Sequence, residues 1–337
     1  MIELSRKLTF IDLLGGIGVG TKAVLNRAGQ DNVDIVSYID NEYNNDSCVS
    51  AYNLFYGTNY TPTDINTFDF NNINKHIDLA MASVPSNTFT DNNFILGHKE
   101  IAKKLWGKQD IAPRLSIAQA LLDFYKQCEP TAFVIDFTLG QHKKEQEKNL
   151  QILLDKFKEL GASIGVQTYN AYEFNAPQKR ERECALIFNK TITLSKPFEF
   201  PTGVKTPLKV KDILLDNYSD DVIISNYEWE TKYKDSLFIH KVWNINDYLN
   251  TITANYGCHN AGHSAVVPCK DESGWRFLMP LEVFRAMGLK DDYYNLLENN
   301  FTNEQLYRLA GNSMIGNYID RFMQQLLNKK ELRVWED

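Results

Sequence analysis

The sequence predicts an α/β fold: a doubly wound, mostly parallel sheet joined to a smaller, loop-rich region. Short apolar runs alternate with helical stretches over the first half of the chain, the pattern of a parallel sheet covered on both faces. That alternation stops near residue 189, and helices return after residue 277. The chain has 337 residues, 43% of them apolar, enough for one large core with a small addition.

KLTFIDLL reads as the first strand because its apolar residues form a near-continuous run, as buried parallel strands do. VGTKAVLNRAG is a helix that ends on Gly29. VDIVSYID is the second strand, with YNNDSCVSAYNLFYG the helix after it. HIDLAM is the third strand, followed by a long connection and the helix SIAQALLDFYKQC. TAFVIDF is a strand, and KEQEKNLQILLDKFKELG a helix with apolar residues near a 3.6 spacing. ASIGVQTYNA and ECALIF close the series as strands. From Asn189 to Phe277 the runs are short, mixed and interrupted by proline (KPFEFPTGVKTP). PLEVFRAMG, TNEQLYRLAG and NSMIGNYIDRFMQQLLNKK are helical. The expected domains are 1–188 with 278–330, and 189–277.

Lys and Arg number 36 against 43 Asp and Glu, a net charge of -7. This argues against an indiscriminate polyanion binder and leaves room for a local basic groove. The five cysteines are odd in number and none forms C-x-x-C, which fits free thiols better than disulfides. Cys258, His259 and His263 crowd into six residues, a poor match to structural zinc spacing, so no metal is expected. The start has no cationic leader before a long apolar stretch, and no apolar run is long enough to span a bilayer. A soluble, cytoplasmic protein without membrane contact is expected.

Four stretches carry chemistry. In FIDLLGGIGVG a strand enters a glycine-rich turn that opens a helix, where backbone can approach a ligand and helix N–H groups are free. Gly16 and Gly18 lie in a G-x-G-x-G spacing, not the dinucleotide pattern. Asp12, just before the glycines, would repel a pyrophosphate and suits a cationic or amino-acid-bearing cofactor. Asp40 or Glu42 follows the next strand, placed for a ribose or adenine. A tight turn without ligand explains the same glycines. In APQKRERE, the alternating Gln178, Arg180 and Arg182 share one face of an extended chain and suit a planar or anionic ligand; a solvated charged edge is the plainer reading. In LAGNSMIGNYIDRF, Gly311-Asn312-Ser313 reads as the opening of the last helix, or simply its N-cap. In ASVPSNTFT, Pro85-Ser86-Asn87 leaves a strand, an ordinary turn signal and also a place where enzymes display a nucleophile.

Taken together and in order, with TITANYG and RFLMPLEVFRAMG between them, these motifs resemble the DNA cytosine-5 methyltransferase family over nearly the whole chain. The resemblance implies a Rossmann-like, S-adenosylmethionine-dependent methyltransferase fold and a target-recognition-like region at 189–277. It places Asp12, Gly16, Gly18, Asp40 or Glu42, Asp64, Asn312 and Ser313 at the cofactor. It places Gln178, Arg180 and Arg182 in the family's arginine motif, where the two arginines buttress the flipped base and the catalytic loop, or here simply hold the fold. Thr253, Tyr256, His259 and Asn260 fall where duplex DNA is expected, since Asn and His can hydrogen-bond base edges; a polar surface loop accounts for them equally.

In the family, a flipped cytosine is attacked at C6 by a Cys thiolate from Pro-Cys-Gln, while a Glu from Glu-Asn-Val contacts the N3 edge. Here those positions read Pro85-Ser86-Asn87 and Asp136-Phe137-Thr138. A serine hydroxyl needs an adjacent base, whereas a thiol is already partly ionised. Losing four decades of rate corresponds to about 5.4 kcal/mol of barrier. Leu14 replaces an aromatic and Val19 a glycine around the cofactor, so weakened S-adenosylmethionine binding is expected. The leading expectation is a pseudoenzyme that binds DNA or a partner, such as an active methyltransferase subunit of a restriction-modification system. The alternatives are an active nucleic-acid-modifying enzyme in which Ser86 and Asp136 run a changed chemistry, and a protein-interaction module without DNA binding.

Overall fold

The computed structural model describes residues 6–40, 47–90, 117–139, 143–192, 196–236, 239–242, 244–259, 264–271 and 274–328. Its centre is a six-stranded sheet in the order β2-β1-β3-β4-β7-β5. These strands are β1 (Leu8–Leu13), β2 (Val33–Ile39), β3 (Leu79–Val84), β4 (Ala132–Thr138), β5 (Ser163–Asn170) and β7 (Glu181–Phe188). The β1–β2, β1–β3 and β3–β4 pairs are parallel, as expected of strands joined by helical crossovers.

One strand runs against the others. β7 lies between β4 and β5 and pairs antiparallel with both. The reason is local. The connection from β5 to β7 holds only a short helical turn, Ala171–Phe174, and the two-residue strand β6 (Gln178–Lys179), too little for a crossover. The chain therefore reverses, and the QKRER stretch is laid across the C-terminal end of β4, with Arg182 opposite Thr138.

Helices cover both faces. One face is closed by α3 (Ile117–Cys128) and α4 (Lys143–Glu159), whose Leu121, Phe124, Leu153 and Phe157 meet Ile11, Phe133 and Ile135 of the sheet. The other face takes α1 (Val19–Ala28), α2 (Cys48–Tyr56), α5 (Pro280–Ala286), α7 (Asn303–Asn312) and α8 (Gly316–Asn328). A further helix, α6 (Asp291–Leu297), packs beside α5. Gly311-Asn312 thus ends α7 rather than opening the last helix. Ser313 is its C-cap, with Oγ donating to the Ala310 carbonyl at 2.7 Å, and α8 begins only at Gly316.

Within 189–277 lie a three-stranded sheet of β11 (Trp275–Phe277), β10 (Ala265–Pro268) and β8 (His240–Lys241), and β9 (Leu249–Asn250) paired with β6. Val266, Val267, Phe277 and Val242 belong to the same apolar cluster as Phe10, Met81 and Val134 of the main sheet. Part of 189–277 thus packs on one face of the main sheet.

At the N-terminal edge of the sheet, the buried Asp78 carboxylate accepts two bonds from Arg6, both at 2.6 Å, and one from the Thr9 amide at 2.8 Å. This clasp is remote from the edge where the motifs gather. No helix among the described residues is long and apolar enough to cross a membrane.

Candidate functional site

The motif-bearing segments converge on the C-terminal edge of the parallel strands, where ligands bind on such sheets. Two clusters form there.

The first surrounds the glycine turn. Asp12 ends the apolar run of β1 with a fully buried carboxylate. Its Oδ2 accepts a 2.7 Å bond from the Thr21 hydroxyl, and its Oδ1 has no hydrogen-bond partner. Burial pushes this carboxyl up to about 7, against the opposing hydrogen bonds of Thr21. Gly18 has a φ of 76°, and a Cβ there would lie 2.5 Å from the Tyr56 ring, so only glycine fits. Gly16 has a φ of 57°, and a Cβ there would meet nothing within 4 Å, so the turn is open on this side. Val19 turns into the core as the first residue of α1 and does not crowd the opening. Leu14 is buried with a φ of 54°, a left-handed conformation that strains a residue with a branched side chain.

Asp40 supports the glycine turn directly. It accepts the Gly16 amide at 2.9 Å and so fastens the turn. Tyrosines that sequence reading passed over complete the support. The Tyr38 hydroxyl donates to the Gly16 carbonyl at 2.8 Å and Tyr56 to Gly18 at 2.6 Å, while Tyr38 and Tyr52 stack at 3.7 Å. Asp64 caps its own turn, accepting the Asn66 amide at 3.0 Å. Glu42 lies outside the described residues.

The second cluster is a buried polar hub at the end of β4. Asp136 is fully enclosed. Its Oδ2 accepts from Arg182 Nε at 2.9 Å and from the terminal guanidinium nitrogen, and its Oδ1 accepts from the Tyr169 hydroxyl at 3.0 Å. Tyr169 in turn stacks face to face on Tyr318 at 3.5 Å. Thr138 Oγ1 accepts from Arg182 at 2.6 Å and from Arg180 at 3.0 Å. Arg180 also donates to the Ile252 carbonyl at 2.6 Å and the Gly311 carbonyl at 3.1 Å. Burial, with Arg182 alongside, draws Arg180 down to about 9, so it stays charged at neutral pH. Gln178 donates to Ala286 at 2.7 Å and accepts the Ile252 amide at 3.0 Å.

The three alternating residues are therefore neither a solvated edge nor a free anion site. Their donors are spent on backbone carbonyls, Thr138 and Asp136, and they brace TITANYG and the α7–α8 junction against the sheet. The brace is tight. A Cβ on Gly311 would lie 2.5 Å from the Thr253 carbonyl. Gly311→Ala is expected to cost about 1–3 kcal/mol, as overpacking does. A lower urea midpoint with unchanged slope would show it. A wild-type midpoint would mean that this junction yields.

Other expected positions fall as follows. Ser86 opens a helical turn, Ser86–Phe89, at the exit of β3; its side chain lies outside what the structure describes. Tyr256 is fully buried, with its hydroxyl donating to Ala265 at 2.6 Å and accepting the Leu278 amide at 2.9 Å. It is a core residue and presents nothing to a nucleic acid. His259 lies flat on Phe277 at 4.2 Å, which commits its ring face to packing. Thr253 is half-buried, with its hydroxyl unpaired beneath the Arg180 brace. Asn312 is exposed at the end of α7. Asn260, His263 and most of the connection from Asn87 to Pro113 lie outside the described residues. Among the described residues, no group of three or more His, Cys, Asp or Glu is arranged to hold a metal ion.

Tyr169 was legible only indirectly: a carboxylate inside the apolar run TAFVIDF requires buried partners, but nothing local says which.

The turn around Asp12 fits a ligand bearing positive charge. An enclosed carboxylate with one unpaired oxygen stands behind a glycine cradle that is open at Gly16.

The family model for C-5 cytosine-specific DNA methylase matches residues 8–328. The chain is 24% identical over 328 residues to Type II methyltransferase M.SsoII of Shigella sonnei, covering 94% of this chain and 79% of that protein. It is 26% identical over 339 residues to Type II methyltransferase M.DsaV of Dactylococcopsis salina, covering 97% and 88%. Among solved structures, S. pombe Dnmt2 methyltransferase shares the fold with a TM-score of 0.70 at 19% identity, covering 96% and 98% of the two chains.

Proposed function

The chain belongs to the C-5 cytosine-specific DNA methylase family, and from that premise we propose that it is a DNA-binding member that has lost its own methyl transfer. It serves as the non-catalytic subunit of a methylation or restriction-modification system, beside an active methyltransferase or another protein partner. The observation that carries this reading is the enclosure of Asp136. The family's acid must reach the N3 edge of a flipped cytosine. This shorter carboxylate is fully buried, with both oxygens held by Arg182 and Tyr169. At the family's nucleophile position stands Ser86, a hydroxyl that needs an adjacent base to attack where a thiol does not.

The family uses S-adenosylmethionine, which, when bound, supplies an electrophilic methyl group on a sulfonium. Asp12 would face its positive charge, and the open side of Gly16 would admit its backbone-hugging portion. Binding is weakened here, because Asp40 is committed to the Gly16 amide and Leu14 offers no aromatic face. Residues 189–277 act as the target-recognition-like region, with Arg180 holding it to the sheet through Ile252.

The test is transfer of labelled methyl from S-adenosylmethionine to mixed-sequence duplex DNA by the purified chain alone. No turnover is expected. Enzyme-like transfer over many turnovers would sink the proposal and establish that Ser86 has acquired another route to the methylated product.

A further inference from the structure

We infer that the surface built on β6 and β9, comprising Lys179, Lys209 and the Tyr172–Tyr248 stack, is a phosphate-backbone contact for duplex DNA. It rests on the DNA-binding reading above and supplies that reading with an interface, since Tyr256 and His259 are engaged in packing.

Lys179 is exposed, yet its backbone is fixed between two buried, fully bonded neighbours, Gln178 and Arg180. Thr251 Oγ1 donates to its carbonyl at 2.8 Å, and the Leu249 amide donates to Pro177 at 2.9 Å. The ammonium therefore hangs from a rigid backbone and faces away from the buried Gln178 and Arg180 on either side. Lys209 sits 3.7 Å above the Tyr248 ring, and Tyr248 stacks on Tyr172 at 4.5 Å. The amide of Val210 donates to the carbonyl of Asp247 at 3.1 Å, which ties the Lys209 segment to the one that carries Tyr248 and leads into β9, the partner of β6. The result is one cation seated on an aromatic platform and a second on the paired strand β6, in a chain whose net charge is -7.

Cations of this kind hold phosphates and fix register without reading sequence. Asp247 stands 3.7 Å from Lys179 and competes with an incoming phosphate. That opposition gives the surface a signature of two signs.

The experiment is anisotropy of a labelled mixed-sequence duplex with the full chain, repeated over a range of NaCl concentrations. Each phosphate contact steepens the plot of log affinity against log salt by about 0.9. Lys179→Ala and Lys209→Ala should each make it shallower by about that amount, and Asp247→Asn should tighten binding. Lys156→Ala, on exposed α4, should change nothing, and circular dichroism of each variant checks its fold. Wild-type binding with unchanged slopes in both lysine variants, or no gain in D247N, overturns the surface and leaves the DNA reading standing. Absence of any salt-dependent binding by the wild type overturns both.

Discussion

Arg182→Ala is expected to cost the protein about 3–5 kcal/mol of stability, the range for removing one partner of a buried ion pair. The guanidinium is enclosed and bonds both Asp136 and Thr138. Its removal leaves the Asp136 charge in the interior, held by the Tyr169 hydroxyl. The double variant Arg182→Met with Asp136→Leu removes both charges and should recover most of that loss, because no charge is then left uncompensated. Urea unfolding of the three proteins measures this directly. If Arg182→Ala falls within 1 kcal/mol of wild type, a scale set by surface ion pairs, the hub is open to water. The case for an inaccessible carboxylate would then collapse.

Asp12 should make the protein less stable as pH rises from about 4 to about 7. Its carboxyl is raised from 3.8 to about 7 in the folded chain, chiefly by burial. The folded state therefore holds the proton more tightly than the unfolded chain. Below the unfolded value both states are protonated and there is no effect. Above the folded value the full penalty applies, roughly 4 kcal/mol at 1.36 kcal/mol per unit. Asp12→Asn should remove this slope, so that the variant gains on the wild type as pH rises from 5 to 8. Surface carboxylates such as Asp291, lowered by Arg285, slope the other way in both proteins and cancel in the comparison. The variant should also lose affinity for S-adenosylmethionine, as expected of a site that trades stability for binding. Parallel stability profiles for the two proteins would show that Asp12 is not protonated in the interior.

Much of the site was legible from one-dimensional pattern. The strand that ends in Asp12 and turns through Gly16 and Gly18 is a local matter of apolar run and glycine spacing, and it folds as read. The boundary at Gly311-Asn312-Ser313 was misread because a polar triplet between helical runs suits a helix end as well as a start. Ser313 resolves it by bonding backward to Ala310. The QKRER stretch, taken in isolation, reads as a charged edge for a related reason. Alternating charges look solvated until a reversed strand carries them beneath TITANYG and α7.

By itself, the sequence determined the alternation of strands and helices and the order of the motifs, since these depend on residue type and near-neighbour spacing. Only the tertiary structure decided where the charges go. The antiparallel insertion of β7 puts Arg182 opposite Thr138, the stacking of Tyr169 on Tyr318 aims a hydroxyl at Asp136, and the folding of α2 sets Tyr56 against Gly18. Each of these joins residues distant in the chain. A buried polar group demands a partner from its own sequence, but which distant group answers depends on how the strands are ordered.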